Sequence, residues 1–203
     1  MNGRHQHIAE TLINRVVQKD MTVLDVGCGD GTISEFMGKM GAKVLAIDMN
    51  ADQIEKAKQK STNKRIEYLT MDIDDFLEER VFDVIVFADV IEHFDREKVF
   101  RIIRRLTRYN THEDTRIYIN IPDGNFIKYM QDYYPEKLHP TDESYPIDHF
   151  LTMFKSFGYA PVELCIYGID TDTQYNEYVF VTEEQLNKHY KQRLGLIYKE
   201  EPQ

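Results

Sequence analysis

The sequence predicts an α/β fold, with helices on both faces of a mostly parallel sheet. Short apolar runs alternate along the chain with amphipathic stretches at helical spacing, which is the pattern of βαβ units. The first apolar run ends in a glycine-rich turn. Near the carboxyl end, two strand-like runs at 162–167 and 175–181 read as an antiparallel hairpin at the sheet edge.

Each element follows from local pattern. Residues 5–19 set Ile8, Leu12, Ile13, Val16 and Val17 at helical spacing. Strand 22–26 runs into Gly27-Cys28-Gly29-Asp30-Gly31, and a helix over 32–40 is stopped by Gly41. Strand 43–47 closes on Asp48, residues 51–60 are helical, and strand 66–70 ends at Met71-Asp72. Strand 83–87 precedes Ala88-Asp89-Val90-Ile91-Glu92-His93. The helix 96–109 turns Val99, Ile102, Ile103 and Leu106 inward. Strand 116–121 is broken by Pro122 and Asp123-Gly124.

Residues 122–146 leave this rhythm. They are rich in Tyr, Pro and Asp, with one short helix near 124–132, and irregular insertions of this length are often lids or binding loops. Their tyrosines suit either a pocket wall or the packing of the lid onto the sheet. A helix at 147–157 leads into the hairpin, whose gap centres on Asp170-Thr171-Asp172, and 183–203 reads as a short helix with a frayed end.

Bulk properties narrow the function. A chain of 203 residues, 42% hydrophobic and 30% charged, is sized for one domain, 1–203. A net charge of −10 argues against nucleic acid as partner. The basic residues Arg96, Lys98, Arg101, Arg104, Arg105 and Arg108 fall on several faces of one helix and read as a solvated surface. Cys28 and Cys165 have no paired spacing, which fits a reducing interior. Residues 1–7 lack an apolar signal core and no run is long enough to span a membrane, so a cytoplasmic location is expected.

The chemistry concentrates at three strand ends. Glycines after the first strand let backbone approach a ligand closely. Asp48 lies where a carboxylate can accept both hydroxyls of a ribose, and Asp72 where one can receive the amine of adenine. Singly, each of these is more often a cap or turn residue. Together they form a pattern.

VLDVGCGDG (23–31), AIDMN (46–50), MDIDDF (71–76) and FADVIEHF (87–94) resemble the class I S-adenosylmethionine-dependent methyltransferases. Within that family the resemblance is to the small-molecule branch that includes the ubiquinone-pathway O-methyltransferases, and it covers about residues 20–121. It implies a Rossmann-like seven-stranded sheet, mostly parallel with an antiparallel last strand, binding S-adenosyl-L-methionine and releasing S-adenosyl-L-homocysteine. Carried over by position, Asp25, Gly27, Cys28 and Gly29 surround the methionine part of the cofactor. Asp48 holds the ribose, Met49 packs on the adenine, and Asp72 with Ile73 edges it. Ala88 and Asp89 flank the cofactor from the fourth strand.

Methyl transfer from a sulfonium is an in-line displacement that needs alignment and exclusion of water, not a metal. A hydroxyl acceptor needs a base, and His93 and His149 are the candidates, each with a structural packing role as its alternative. His5, His7 and His139 are further possibilities. His139, Asp142, Asp148 and His149 are spaced too loosely to read as a metal site, so none is assigned. The acceptor is expected to be a small molecule methylated on O or N. A sugar or sugar nucleotide is among the options, because the carboxyl-terminal third resembles surface-sugar methyltransferases. An NAD-dependent oxidoreductase and a non-catalytic cofactor-binding scaffold stay open as alternatives. Oligomeric state is not legible.

Overall fold

The computed structural model describes residues 3–169, 174–188 and 190. Seven strands form one sheet in the order β3-β2-β1-β4-β5-β7-β6. They are β1 (Thr22–Val26), β2 (Lys43–Asp48), β3 (Ile66–Thr70), β4 (Phe82–Ala88), β5 (Thr111–Pro122), β6 (Tyr159–Tyr167) and β7 (Tyr175–Thr182). The first five pair in parallel, whereas β7 runs antiparallel to both β5 and β6. The chain moves outward from β1 to β3, then returns to lay β4 on the other side of β1. Order reverses between β1 and β4, and a crevice opens there beyond the carboxyl ends of the strands.

Strand alternation builds two cores. Leu24, Leu45, Ile85 and Ile117 face one side, where α4 (Arg96–Tyr109) brings Val99, Ile102, Ile103 and Leu106 and α6 (Ile147–Ser156) brings Phe150, Met153 and Phe154. Val23, Val44, Val84 and Val86 face the other. There they meet Ile8 of α1 (Gly3–Thr11), Met37 of α2 (Thr32–Lys39) and Ile54 of α3 (Ala51–Lys60). Burying each such side chain contributes about 1.5–3 kcal/mol, so helices are held on both faces, as the sequence predicts. Among the described residues no helix is long and apolar enough to cross a membrane.

Three local expectations need correction. The helix predicted over 5–19 stops as an α-helix at Thr11 and continues as one π-helical stretch, Leu12–Val16. There the Val17 amide donates to the Leu12 carbonyl at 2.8 Å. Leu12 and Val16 are buried within this stretch, and Val17, extended at its end, is buried after it. Strand β5 begins at Thr111 rather than 116, because the polar 111–115 segment pairs with β4 through an irregular register near Phe82. Pro122 does not break it. It ends the strand opposite Tyr175.

The insertion contains α5 (Gly124–Tyr133), capped by the Asp123 carboxylate, and a 3₁₀ turn at Pro135–Lys137. Tyr129, Tyr133 and Tyr134 are exposed and pack on one another, while Tyr145 is buried. Residues 183–188 are helical; the hairpin gap at 170–173 and, apart from Tyr190, the rest of the predicted tail lie outside the described residues.

Gly124 is where the insertion closes on itself. A Cβ there would stand 2.6 Å from the Tyr145 carbonyl oxygen, so backbone must move to admit one. Gly124→Ala is expected to cost about 1–3 kcal/mol of stability, read by urea denaturation, with faster amide exchange across 138–146.

Candidate active site

The carboxyl ends of β1, β2 and β4 meet at the crevice. The Gly27 and Cys28 amides both donate to the Ile47 carbonyl, at 2.8 and 3.0 Å, which hangs the glycine loop on the end of β2. The Gly29 amide donates to Asp48 Oδ2 at 2.9 Å, and the Asn50 amide to Oδ1 at 2.8 Å. Gly27 has a φ of 71°, and a Cβ there would lie 2.4 Å from Val90, so loop and β4 corner touch through bare backbone.

Four carboxylates line this region in different states. Asp25 is buried and accepts the Ser34 hydroxyl at 2.5 Å; burial pushes its carboxyl up to about 6. Asp72 accepts the Asp74 amide at 3.0 Å and pairs with Lys98 at 3.3 Å, and together these hold it below its ordinary value. Asp89 follows β4 with a φ of 56°, in the left-handed region that few residues other than Gly, Asn and Asp adopt. Its Oδ2 lies 2.8 Å from Arg4 Nε and its Oδ1 accepts from the Asn120 amide at 2.7 Å. Burial raises the Asp89 carboxyl in spite of Arg4. Asp48 completes the set through its two backbone bonds.

Two cavities flank the glycine loop and share Gly27, Gly29, Gln53 and Asp89. One, of about 290 Å³, lies among Asp48, Met49, Asp72, Ile73 and His93. The other, of about 320 Å³, lies among Asp25, Cys28, Ala88 and Arg4. Every position expected to touch the cofactor therefore borders one cavity or the other.

The histidines separate. His93 borders the first cavity and His5 the second, where burial and the nearby Arg4 charge lower the His5 imidazole. His149 borders neither; it packs against Tyr145 and Phe150 on α6, and burial lowers its imidazole. His7 stacks on Tyr167 at 3.7 Å, with Nε2 3.4 Å from Glu177. His139 joins His93, the rings 5.3 Å apart, and Asp142 Oδ1 lies 2.9 Å from His93 Nδ1. The pair His139 and Asp142 is thus completed by His93, not by Asp148 and His149.

Two residues with site contacts carry no sequence signal. Arg4 is one cation on an unremarkable helix, and Asn120 is one amide inside an apolar strand. The basic face of α4 is largely spent on the fold: the Arg105 guanidinium donates to the Ile73 and Asp74 carbonyls, Lys98 pairs with Asp72 and Asp74, and Arg96 donates to the Ser144 carbonyl.

Residues 24–112 match the family described as a methyltransferase domain. The mitochondrial ubiquinone biosynthesis O-methyltransferase of Rattus norvegicus is 36% identical over 87 residues, 39% of this chain and 25% of that protein. The ubiquinone biosynthesis O-methyltransferase of Pseudomonas syringae pv. tomato is 29% identical over 181 residues, 83% of this chain and 71% of that protein. These matches place the likeness to a methyltransferase domain in residues 24–112. Among solved structures, the magnesium protoporphyrin IX methyltransferase of Synechocystis with bound SAH has the same fold. Its TM-score is 0.74 at 15% identity, over 88% of this chain and 82% of that one. An S-adenosylmethionine dependent methyltransferase of Mesorhizobium loti gives 0.72 at 13% identity, over 88% and 98%. The chain spans about a quarter of the length of the mammalian relatives it matches, 25% of the Rattus and 22% of the Bos taurus protein.

Asp25 makes the stability of this methyltransferase fold depend on pH. Between about pH 4 and about pH 6 the folded state binds its proton more tightly than the unfolded state, so stability falls as pH rises through that window. Asp25→Asn is expected to relieve about 3 kcal/mol above pH 6 and nothing near pH 4. Denaturant melts at pH 4 and pH 8 read the difference.

Proposed function

We propose that the protein transfers a methyl group from S-adenosylmethionine to an oxygen of a small-molecule acceptor, with 1–203 acting as one domain and 122–146 covering the acceptor. One observation carries this reading: the ten expected cofactor positions border two cavities that share four lining residues and whose charges are sorted as the cofactor's are. The first cavity offers apolar Met49 and Ile73 for a flat base and Asp48 for a ribose. The second offers the Arg4 cation for a carboxylate and Asp25 for an ammonium. Gly27 and Gly29 between them keep Cβ atoms out of the ligand's path. The volumes suit a ligand of this size.

When bound, the cofactor supplies an activated methyl on a sulfonium that is displaced in line. Asp48 and Arg4 fix the two ends, and the walls around Val90 and Phe94 exclude water. Asp89 touches both cavities and holds the junction where the methyl would stand. His93, exposed at the edge of the first cavity, is the candidate for the acceptor side; His149 is set aside because it borders neither cavity and packs on Tyr145 and Phe150. The relatives are named as O-methyltransferases, which favours oxygen over nitrogen and lends nothing to the sugar acceptor. They give no support to the nicotinamide reading either.

Calorimetry with S-adenosylhomocysteine tests the donor site. Asp48→Ala and Arg4→Ala are each expected to weaken binding at least about tenfold, or about 1.4 kcal/mol. Because an ammonium favours ionised Asp25, affinity should rise from pH 5 to pH 7 and then level off. Undiminished affinity in Asp48→Ala would refute the ribose assignment. His93→Ala should lower turnover on a phenolic acceptor panel, and full turnover in that variant would remove His93 from the acceptor site.

A further inference from the structure

His93, His139 and Asp142 each offer one donor atom, and these atoms all lie within 4.8 Å of one another. They come from two turns that the backbone locks together. The Glu143 amide donates to the Glu92 carbonyl at 2.8 Å, which joins the insertion to the turn bearing His93. The Asp142 amide donates to the His139 carbonyl at 2.9 Å, and the His139 amide returns a bond to Asp142 Oδ2 at 3.0 Å. Asp142 Oδ1 is thereby left buried and turned toward His93.

The side-chain chemistry is that of a metal site. The His139 Nδ1 lies 2.8 Å from the Thr141 hydroxyl. With the Thr141 amide, 3.5 Å from the same nitrogen, this hydroxyl orients the His139 ring, as a partner on one ring nitrogen does in metal sites. Two imidazoles and one carboxylate form a borderline donor set that selects zinc, cobalt, nickel or copper over the all-oxygen coordination of magnesium and calcium. Ligand bonds of about 2.0–2.2 Å require the donors to close in from their present spacing. His93 and His139 are exposed and have room to do so.

We propose that His93, His139 and Asp142 bind one divalent transition-metal ion that clamps the insertion to the end of β4. Three protein ligands leave a position for water or an acceptor oxygen, the open arrangement of catalytic rather than structural sites. His93 borders the first cavity, which sets this ligand at the edge of the cofactor site. A metal-held oxygen loses its proton more readily, which gives His93 its acceptor-side role as a ligand. This part rests on the proposed methyl transfer; the metal binding itself does not.

Cobalt(II) chloride titrated into the untagged full chain without cofactor tests the site by visible absorption. The expected result is one equivalent bound, with a ligand-field band removed by EDTA. His139→Ala and Asp142→Asn should each weaken binding at least about tenfold, and His149→Ala should bind as the unmodified protein does. Circular dichroism of the variants separates lost ligands from lost fold. No saturable binding below about 0.1 mM, or unaltered binding by His139→Ala, would overturn the proposal. Loss of S-adenosylhomocysteine binding would sink the methyltransferase reading alone, because the cobalt titration contains no cofactor.

Discussion

The structure depends on one carbonyl oxygen at the end of β2. Ile47 accepts the amides of both Gly27 and Cys28, so the loop after β1 cannot continue as a strand or rise away from the sheet. That pair of bonds turns the chain through left-handed backbone at Gly27 and brings Gly29 onto the Asp48 carboxylate. It also sets Gly27 against Val90, which fixes the β4 corner and, with it, Asp89 and His93. Three strand ends become one surface because the last ladder bond, from Gly27, is doubled on the same carbonyl by an off-register bond from Cys28.

Electrostatics then follow from how deeply each carboxylate is set. Asp72 remains near solvent, where Lys98 and a backbone amide keep it ionised. Asp25 and Asp89 are drawn inward, where desolvation favours the protonated form and a cation is needed to offset it. Arg4 supplies that cation to Asp89 from the first helix, and its Nη1 also donates to the Tyr175 hydroxyl at 3.1 Å. The first helix is thus coupled to the last strand through a charge at the cavity, and the site is closed by both ends of the described chain.

The insertion is fastened by a similar logic. Its backbone reaches the β4 corner at Glu143 and Ser144, the Tyr145 hydroxyl donates to the Phe94 carbonyl, and Gly124 permits the close approach that seats Tyr145. These contacts explain why the tyrosines divide. Tyr145 lies under the clasp and is buried, whereas Tyr129, Tyr133 and Tyr134 ride on the outer part of α5 and stack on each other.

Local spacing was enough for most elements. Strand β1, α3, β3 and α4 have the bounds that their apolar periods predict, since burial on a pleat or a helical stripe is decided within a few residues. Asp48 and Asp72 could be singled out because each lies at or just past the carboxyl end of a strand, and those ends in a parallel sheet converge whatever the distant sequence does. The π turn at Leu12–Val16 was not legible, because Leu12, Val16 and Val17 satisfy a helical pattern until the core demands all three. Nor was the separate placement of His93 and His149, or the meeting of His93 with His139 and Asp142. Those outcomes depend on contacts between segments far apart in sequence, which leave no period in the chain and are set only when backbone groups such as Glu143 and Glu92 find each other.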